Sequence, residues 1–255
     1  MIDTIYANGC SFTAGSELEH ENQELISPVD IDTFRRERSW PKCLGDRIGA
    51  VSVVNEARGG GSNVRAVRMT YDFVARYLSK GKDASRLLVL IGITDLVRNE
   101  FRTEQGAWEL LKPNLAARST KDRTVRKRNE LYYRTFFDAE QAVRLHVQQY
   151  AGLAGFLDVQ GICHHFHEAM PNNAPILREH TEAVSLLRLL DRHVWRGITH
   201  EDMAVHFDGR ESFESWSIAA GIPLGPGGHP LTEGHYRWAE KLHENVRALL
   251  RRRQS

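Results

Sequence analysis

The run Tyr6-Ala7-Asn8-Gly9-Cys10-Ser11-Phe12-Thr13 closes a short, mostly apolar segment, Ile2 to Ala7, that reads as a strand. Gly9 breaks the strand, and a serine follows two residues later. Glycine lets the backbone turn sharply and lets another group come close. In an open parallel sheet, ligands bind at the carboxyl edge of the strands. Ser11 therefore stands where a nucleophile would be placed. The same residue can also be a small turn residue capping the next helix.

Outward from this turn the chain alternates strand and helix patterns. Ser39-Trp40-Pro41 is a helix start, with Trp40, Leu44 and Ile48 on one face and Gly49 as a stop. Val51 to Val54 is a β-branched run that reads as a buried strand. Ser62 can cap a second helix carrying Val64, Val67, Tyr71, Val74 and Leu78 at helical spacing. Leu87-Leu88-Val89-Leu90-Ile91 is apolar throughout and reads as a central strand covered on both faces. This β-α-β-α-β order argues for a parallel sheet with right-handed crossovers. Phe136 to Leu157 has helical spacing, and Val159 to Cys163 is a candidate fourth strand. A fifth strand is not evident. Thr232 can cap a last helix whose buried face is Tyr236, Ala239, Leu242, Val246 and Leu249. The expected fold is α/β, a three-layer α/β/α sandwich around a mostly parallel sheet of about five strands. One domain spans residues 1–255, with insertions at about 15–38 and 100–135.

Between these elements, Glu17 to Asp32 is polar, acidic and without a clean period, so it reads as a loop that could wall a pocket. Trp108, Leu110 and Leu111 suggest a short helix. Arg118 to Arg128 is basic and reads as a solvated loop. Glu182 to Trp195 reads as another helix. His164-His165-Phe166-His167-Glu168 invites a metal hypothesis. Neighbouring strand residues point to opposite faces, however, and no matching Cys/His cluster lies elsewhere. No metal and no cofactor is expected.

The charge is nearly balanced, 34 basic against 33 acidic residues, so the chain lacks the footprint of a nucleic-acid protein. Three cysteines, Cys10, Cys43 and Cys163, form no evident disulfide framework and suit a reducing compartment. No secretory pattern and no apolar run of membrane-spanning length is visible. The expectation is a cytoplasmic protein that engages neither nucleic acid nor membrane.

Three later segments, Asn55-Glu56-Ala57-Arg58-Gly59-Gly60-Gly61-Ser62-Asn63, Ile91-Gly92-Ile93-Thr94-Asp95 and Gly228-His229-Pro230 with Gly234-His235, follow the Ser11 turn in order. Together they resemble the blocks of the SGNH, or GDSL-like, hydrolases, over the first hundred and the last forty residues. The resemblance implies a flavodoxin-like α/β fold and a serine esterase acting through an acyl-enzyme. The substrate would be a small-molecule or glycan ester, with a short acyl group such as acetyl. It implies Ser11 as nucleophile and His229 as general base, with His235 the competing base. The oxyanion donors would be the Ser11 and Gly60 backbone N–H groups, with Thr94 and Asn63 as side-chain donors.

The chain departs from the family at three places. Thr94 stands where block III usually has asparagine, and a hydroxyl donates with a shorter reach. Gly9-Cys10-Ser11 replaces Gly-Asp-Ser, and Cys10 reads as a small buried hydrophobe. Pro226 stands where the family carries an aspartate three residues before the histidine. Either a backbone carbonyl orients His229, giving a Ser–His dyad, or an acid arrives from elsewhere, with Glu233 and Asp95 as candidates. The missing aspartate leaves two rival readings beside the esterase. One is an acyltransferase using the same serine, and the other a degenerate scaffold that only binds.

Overall fold

The computed structural model describes residues 1–22, 24, 27–113, 121–170 and 212–254. Among the described residues, four parallel strands form the central sheet: β1 (Thr4–Asn8), β2 (Ser52–Asn55), β3 (Leu87–Ile93) and β6 (Cys163–Glu168). Their spatial order is β2-β1-β3-β6. The strand read at Val159–Cys163 begins later, because the preceding helix runs on to Val159. No fifth strand joins this sheet among the described residues, and the helix read at Glu182–Trp195 lies outside them.

Strand periodicity builds the layers. Ile5, Ala7, Leu88 and Leu90 point to one face, where they pack with Trp40 and Leu44 of α3 (Trp40–Ile48) and with Trp238, Ala239, Leu242 and Val246 of the last helix, Thr232–Gln254. Tyr6, Val89 and Ile91 point to the other face. There they meet Ala66, Val67 and Val74 of α4 (Asn63–Ser79) and Val143, Val147 and Tyr150 of the helix Ala139–Val159. Every residue of β3 is buried, as a central strand covered on both sides must be. On the last helix Trp238 is buried, while Tyr236 is exposed with the Arg47 guanidinium over its ring. The expected face holds at Ala239, Leu242, Val246 and Leu249, with Trp238 in place of Tyr236.

Several expectations give way. The acidic stretch after Ser11 is ordered as a 3₁₀ turn, Leu18–Glu21, and a helix α2 (Pro28–Arg38) capped by Ser27, whose hydroxyl accepts from Asp30 N–H. A helix with no buried side chain leaves no apolar period to read. Trp108–Leu111 is a strand, β5, paired antiparallel with β4 (Asn99–Arg102). Part of the basic run opens helix α5 (Arg123–Thr135), because Asp122 accepts from Thr124 and Val125 N–H. The helix read from Phe136 starts only at Ala139, where Asp138 caps it; this is α6 (Ala139–Val159). The remaining helices are α7 (Phe213–Ala219) and α8 (Thr232–Gln254). Among the described residues, no helix is long and apolar enough to cross a membrane.

Candidate functional site

Three loops converge at the carboxyl edge of the sheet, and glycines let them touch. A side chain on Gly9, at φ 151°, would lie 2.6 Å from Thr13 Oγ1 and 2.7 Å from the Gly92 carbonyl at the end of β3. One on Gly61 would lie 2.5 Å from the Gly9 carbonyl. The β1 turn is thus wedged between the β2–α4 and β3 loops with no room for a Cβ. Asn8 locks the strand end: its Oδ1 accepts from Gly9 N–H (2.8 Å) and Arg65 (3.2 Å), and its Nδ2 donates to the Tyr6 hydroxyl (2.8 Å). Burial and the Glu56 carboxylate together push the Tyr6 pKa far up.

Ser11 is the first residue of the short helix α1 (Ser11–Ala14) and is half-buried. Its N–H, like that of Gly60, takes no acceptor among the described residues, as expected of first-turn amides. Cys10 is fully buried and unbridged. Gly60 is half-buried at φ 72°, and the Ser62 hydroxyl caps α4 by accepting from Arg65 N–H (3.1 Å).

Asn63 and Thr94 are joined to each other. Asn63 Nδ2 donates to the Thr94 carbonyl (2.8 Å), while Asn63 Oδ1 accepts from Thr94 N–H (2.9 Å) and from the Tyr150 hydroxyl (3.0 Å). The Asn63 amide therefore fastens the start of α4 to the end of β3. The Thr94 hydroxyl is buried, accepting from Arg98 Nη1 (3.1 Å) and donating to Met170 Sδ (3.6 Å).

The two candidate histidines have different surroundings. His235 is fully buried in α8, and its Nδ1 accepts the N–H of Trp40, the first residue of α3 (3.0 Å). The ring thereby satisfies an otherwise orphaned helix-terminal donor. Burial, reinforced by repulsion from His229, lowers its pKa to about 3, so it stays neutral with its proton on Nε2. His229 lies on the loop before α8, only partly buried, with its ring 4.8 Å from that of Phe12, the residue after Ser11.

A carboxylate reaches the His229 loop from a distant part of the chain. Glu17 Oε2 lies 3.2 Å from His229 Nδ1, off the line of a formal hydrogen bond. The same carboxylate accepts from Gly227 N–H (2.6 Å) and His229 N–H (3.2 Å). Side chains on Gly225 or Gly227 would collide with it, so Gly225-Pro226-Gly227-Gly228 is a cradle for a carboxylate. Glu17 is the one non-glycine with positive φ (75°) among the described residues, a conformation that costs about 1–2 kcal/mol. Four residues on, Glu21 accepts from the backbone N–H (3.1 Å) and hydroxyl of Thr232 at the start of α8. Thr232 is thus the capped residue, not the cap. Glu233 pairs with Arg237 on its own helix, and Asp95 accepts from Val97 N–H. The sequence reading missed Glu17. The available signal was indirect: a glycine-rich loop with no acid of its own.

On the opposite side of the glycine turn, Lys112 Nζ would lie 3.4 Å from a side chain on Gly60. Beside Asn63 and Arg98 a cavity of about 190 Å³ opens between Leu96, Tyr132, Phe136 and Phe137. His165 and His167 of β6 share one face of the strand, their rings 6.0 Å apart, and His167 packs on Trp40 and Trp238.

Among solved structures, the chain resembles the psychrotrophic esterase EstA from Pseudoalteromonas sp., at 14% identity and a TM-score of 0.50, over 98% of this chain and 99% of that one. It also resembles TesA (15% identity, TM-score 0.48, 97% and 99% covered). A third is an acetylxylan esterase from Geobacillus stearothermophilus (10% identity, TM-score 0.44, 96% and 94% covered). At such identities the EstA likeness establishes the fold. No curated protein matches the chain in sequence. Over residues 20–255 the chain matches the model of DUF6071, and it belongs to that family, one of unknown function.

Proposed function

We propose that this protein is a serine ester hydrolase of the SGNH type, with Ser11 as nucleophile, His229 as general base and Glu17 as the acid that orients the imidazole. The observation that carries the reading is the Glu17 carboxylate at His229 Nδ1, held in a glycine cradle and reached through a strained backbone. The likeness in fold to an esterase agrees with it.

In the proposed reaction, Ser11 Oγ attacks the ester carbonyl while His229 Nε2 takes its proton. The developing oxyanion meets the Ser11 and Gly60 N–H groups, which are free to donate. The imidazolium returns the proton to the leaving alcohol, and water repeats the sequence on the acyl-enzyme. The Glu17 carboxylate beside Nδ1 orients the ring and attracts the positive charge that forms on it. Short acyl groups on small alcohols or sugars are the proposed substrates. The experiment is fluorophosphonate labelling with peptide mapping. Label on the Ser11 peptide, absent after His229→Ala, is expected; an unlabelled or differently labelled chain overturns the assignment.

A further inference from the structure

The cavity of about 190 Å³ lies between the start of α4, the loop after β3, the end of α5 and the first turns of α6. Val64, Leu96, Tyr132 and Phe137 give it apolar walls. Phe136 and Leu145 also line it, although they are 66% and 40% exposed. Ser11, Gly60 and His229 are not among its lining residues. Two of its polar side chains are buried, Asn63 and His146. Asn63 is committed to the Thr94 backbone and the Tyr150 hydroxyl. His146 is 4% exposed, its ring centroid lies 4.6 Å from that of Tyr150, and its Nδ1 has no hydrogen-bond partner among the described residues. It also breaks the pattern of its helix. Val143, Val147 and Tyr150 form the buried face of α6, and position 146 belongs to that face, where packing alone calls for an apolar residue. A buried polar atom without a partner destabilises the fold unless something else supplies one.

We propose that this cavity is a ligand site separate from Ser11, and that its ligand is a compact uncharged ring bearing a hydroxyl that hydrogen-bonds to His146. The inference does not rest on the esterase reading. The volume sets the size, since a cavity of about 150 Å³ holds a benzene ring. The walls set the polarity: apolar and aromatic surface with few polar groups suits a ring with one polar substituent. Charge is disfavoured. Arg98 and Asp138 both line the cavity with opposite signs, and burial lowers the His146 pKa to about 3, so its ring is neutral. A neutral imidazole has one donor and one acceptor nitrogen, and a hydroxyl, which both donates and accepts, matches either tautomer.

The test titrates the full-length protein calorimetrically with phenol and with toluene, which match in size and differ in the hydroxyl. Phenol should bind with a Kd of about 1 mM or tighter. It should bind at least as tightly as toluene, although toluene gives up no hydrogen bond on leaving water. In His146→Leu, which keeps the bulk and removes the polar atoms, the phenol-to-toluene ratio of affinities should fall about tenfold while toluene still binds. Ala142→Phe places a ring in the cavity from another lining position and should abolish binding of both probes, so the site stays testable if His146→Leu does not fold. Four results overturn the proposal: no phenol binding at about 10 mM, phenol weaker than toluene, a ratio unmoved in folded His146→Leu, or phenol binding unmoved in folded Ala142→Phe. Fluorophosphonate labelling of Ser11 should go to completion with phenol at saturation. Labelling blocked by phenol would make the cavity part of the ester site and overturn its separateness. A chain that takes no label even without phenol sinks the serine mechanism alone, and the cavity is then decided by the binding measurements.

Discussion

Replacing Glu17 by glutamine probes the site most directly. The change keeps side-chain size and backbone conformation but removes the charge and turns one acceptor into a donor. Glu17 now accepts from two backbone N–H groups and faces His229 Nδ1. An amide has one oxygen for three donors, so its NH₂ must point at an N–H. At 3.2 Å the carboxylate–imidazolium attraction is about 5 kcal/mol at an effective dielectric of 20. The side chains of His229 and Glu17 are only 18% and 16% exposed, so water screens the pair incompletely. Part of that attraction is already present with neutral histidine as a charge–dipole contact, so the loss in the transition state is smaller than the whole. A fall in kcat of about 10²–10⁴ is expected, the upper end matching the effect of the same change in serine proteases. The assay is kcat on 4-nitrophenyl acetate for wild type, Glu17→Gln and Glu17→Gly, alongside thermal unfolding. Glu17→Gly relieves the positive φ, about 1 kcal/mol, so it should lose as much kcat as glutamine with a smaller loss in stability. A folded Glu17→Gln protein within about threefold of wild-type kcat would refute the displaced acid and return the site to a Ser–His dyad.

Other outcomes follow from the same geometry. Ser11→Ala and His229→Ala should each lower kcat by roughly 10³-fold or more, and the double variant little further, since the two act as a unit; additive losses in single-turnover kinetics would contradict this. His235→Ala should cost roughly 2–4 kcal/mol by urea unfolding, through a cavity and an orphaned Trp40 N–H, and a loss of activity without loss of stability would make it the base instead. His235 and His146 are buried with pKa values lowered to about 3 by desolvation. Their neutral forms stabilise the fold fully above about pH 6.5, and this is lost as pH falls toward 3, because the unfolded chain binds protons that the folded one refuses. At pH 5 each should cost about 2 kcal/mol, and the pH dependence of urea unfolding for His146→Gln and His235→Gln should flatten accordingly. Gly227→Ala should lose activity comparably to Glu17→Gln because its methyl displaces the carboxylate; wild-type kcat in that variant would argue against the cradle.

The strands β1 and β3, the helices α3 and α4 and the last helix were legible because each buries a face; β2, read as buried at Val51–Val54, is an edge strand, Ser52–Asn55, with no fully buried residue, and only its β-branched run was legible. Burial imposes a period, two in strands and 3.6 in helices, and the period survives in the sequence. The Ser11 turn and the glycine run were legible for a related reason, since chain crossings without room for a Cβ leave only glycine. The α2 segment was not legible: it buries nothing and is held by its cap and by ion pairs. Nor was the β4–β5 hairpin, four residues a side and only partly buried. What tertiary structure alone decided is the chemistry around His229. Its carboxylate partner lies 212 residues away in sequence, on a polar turn with no period, and a long-range contact between two loops leaves no local trace. Likewise His229 and His235 are equivalent as letters. They differ because one reaches Glu17 beside the Phe12 ring, while the other is sealed in the core with its Nδ1 committed to Trp40.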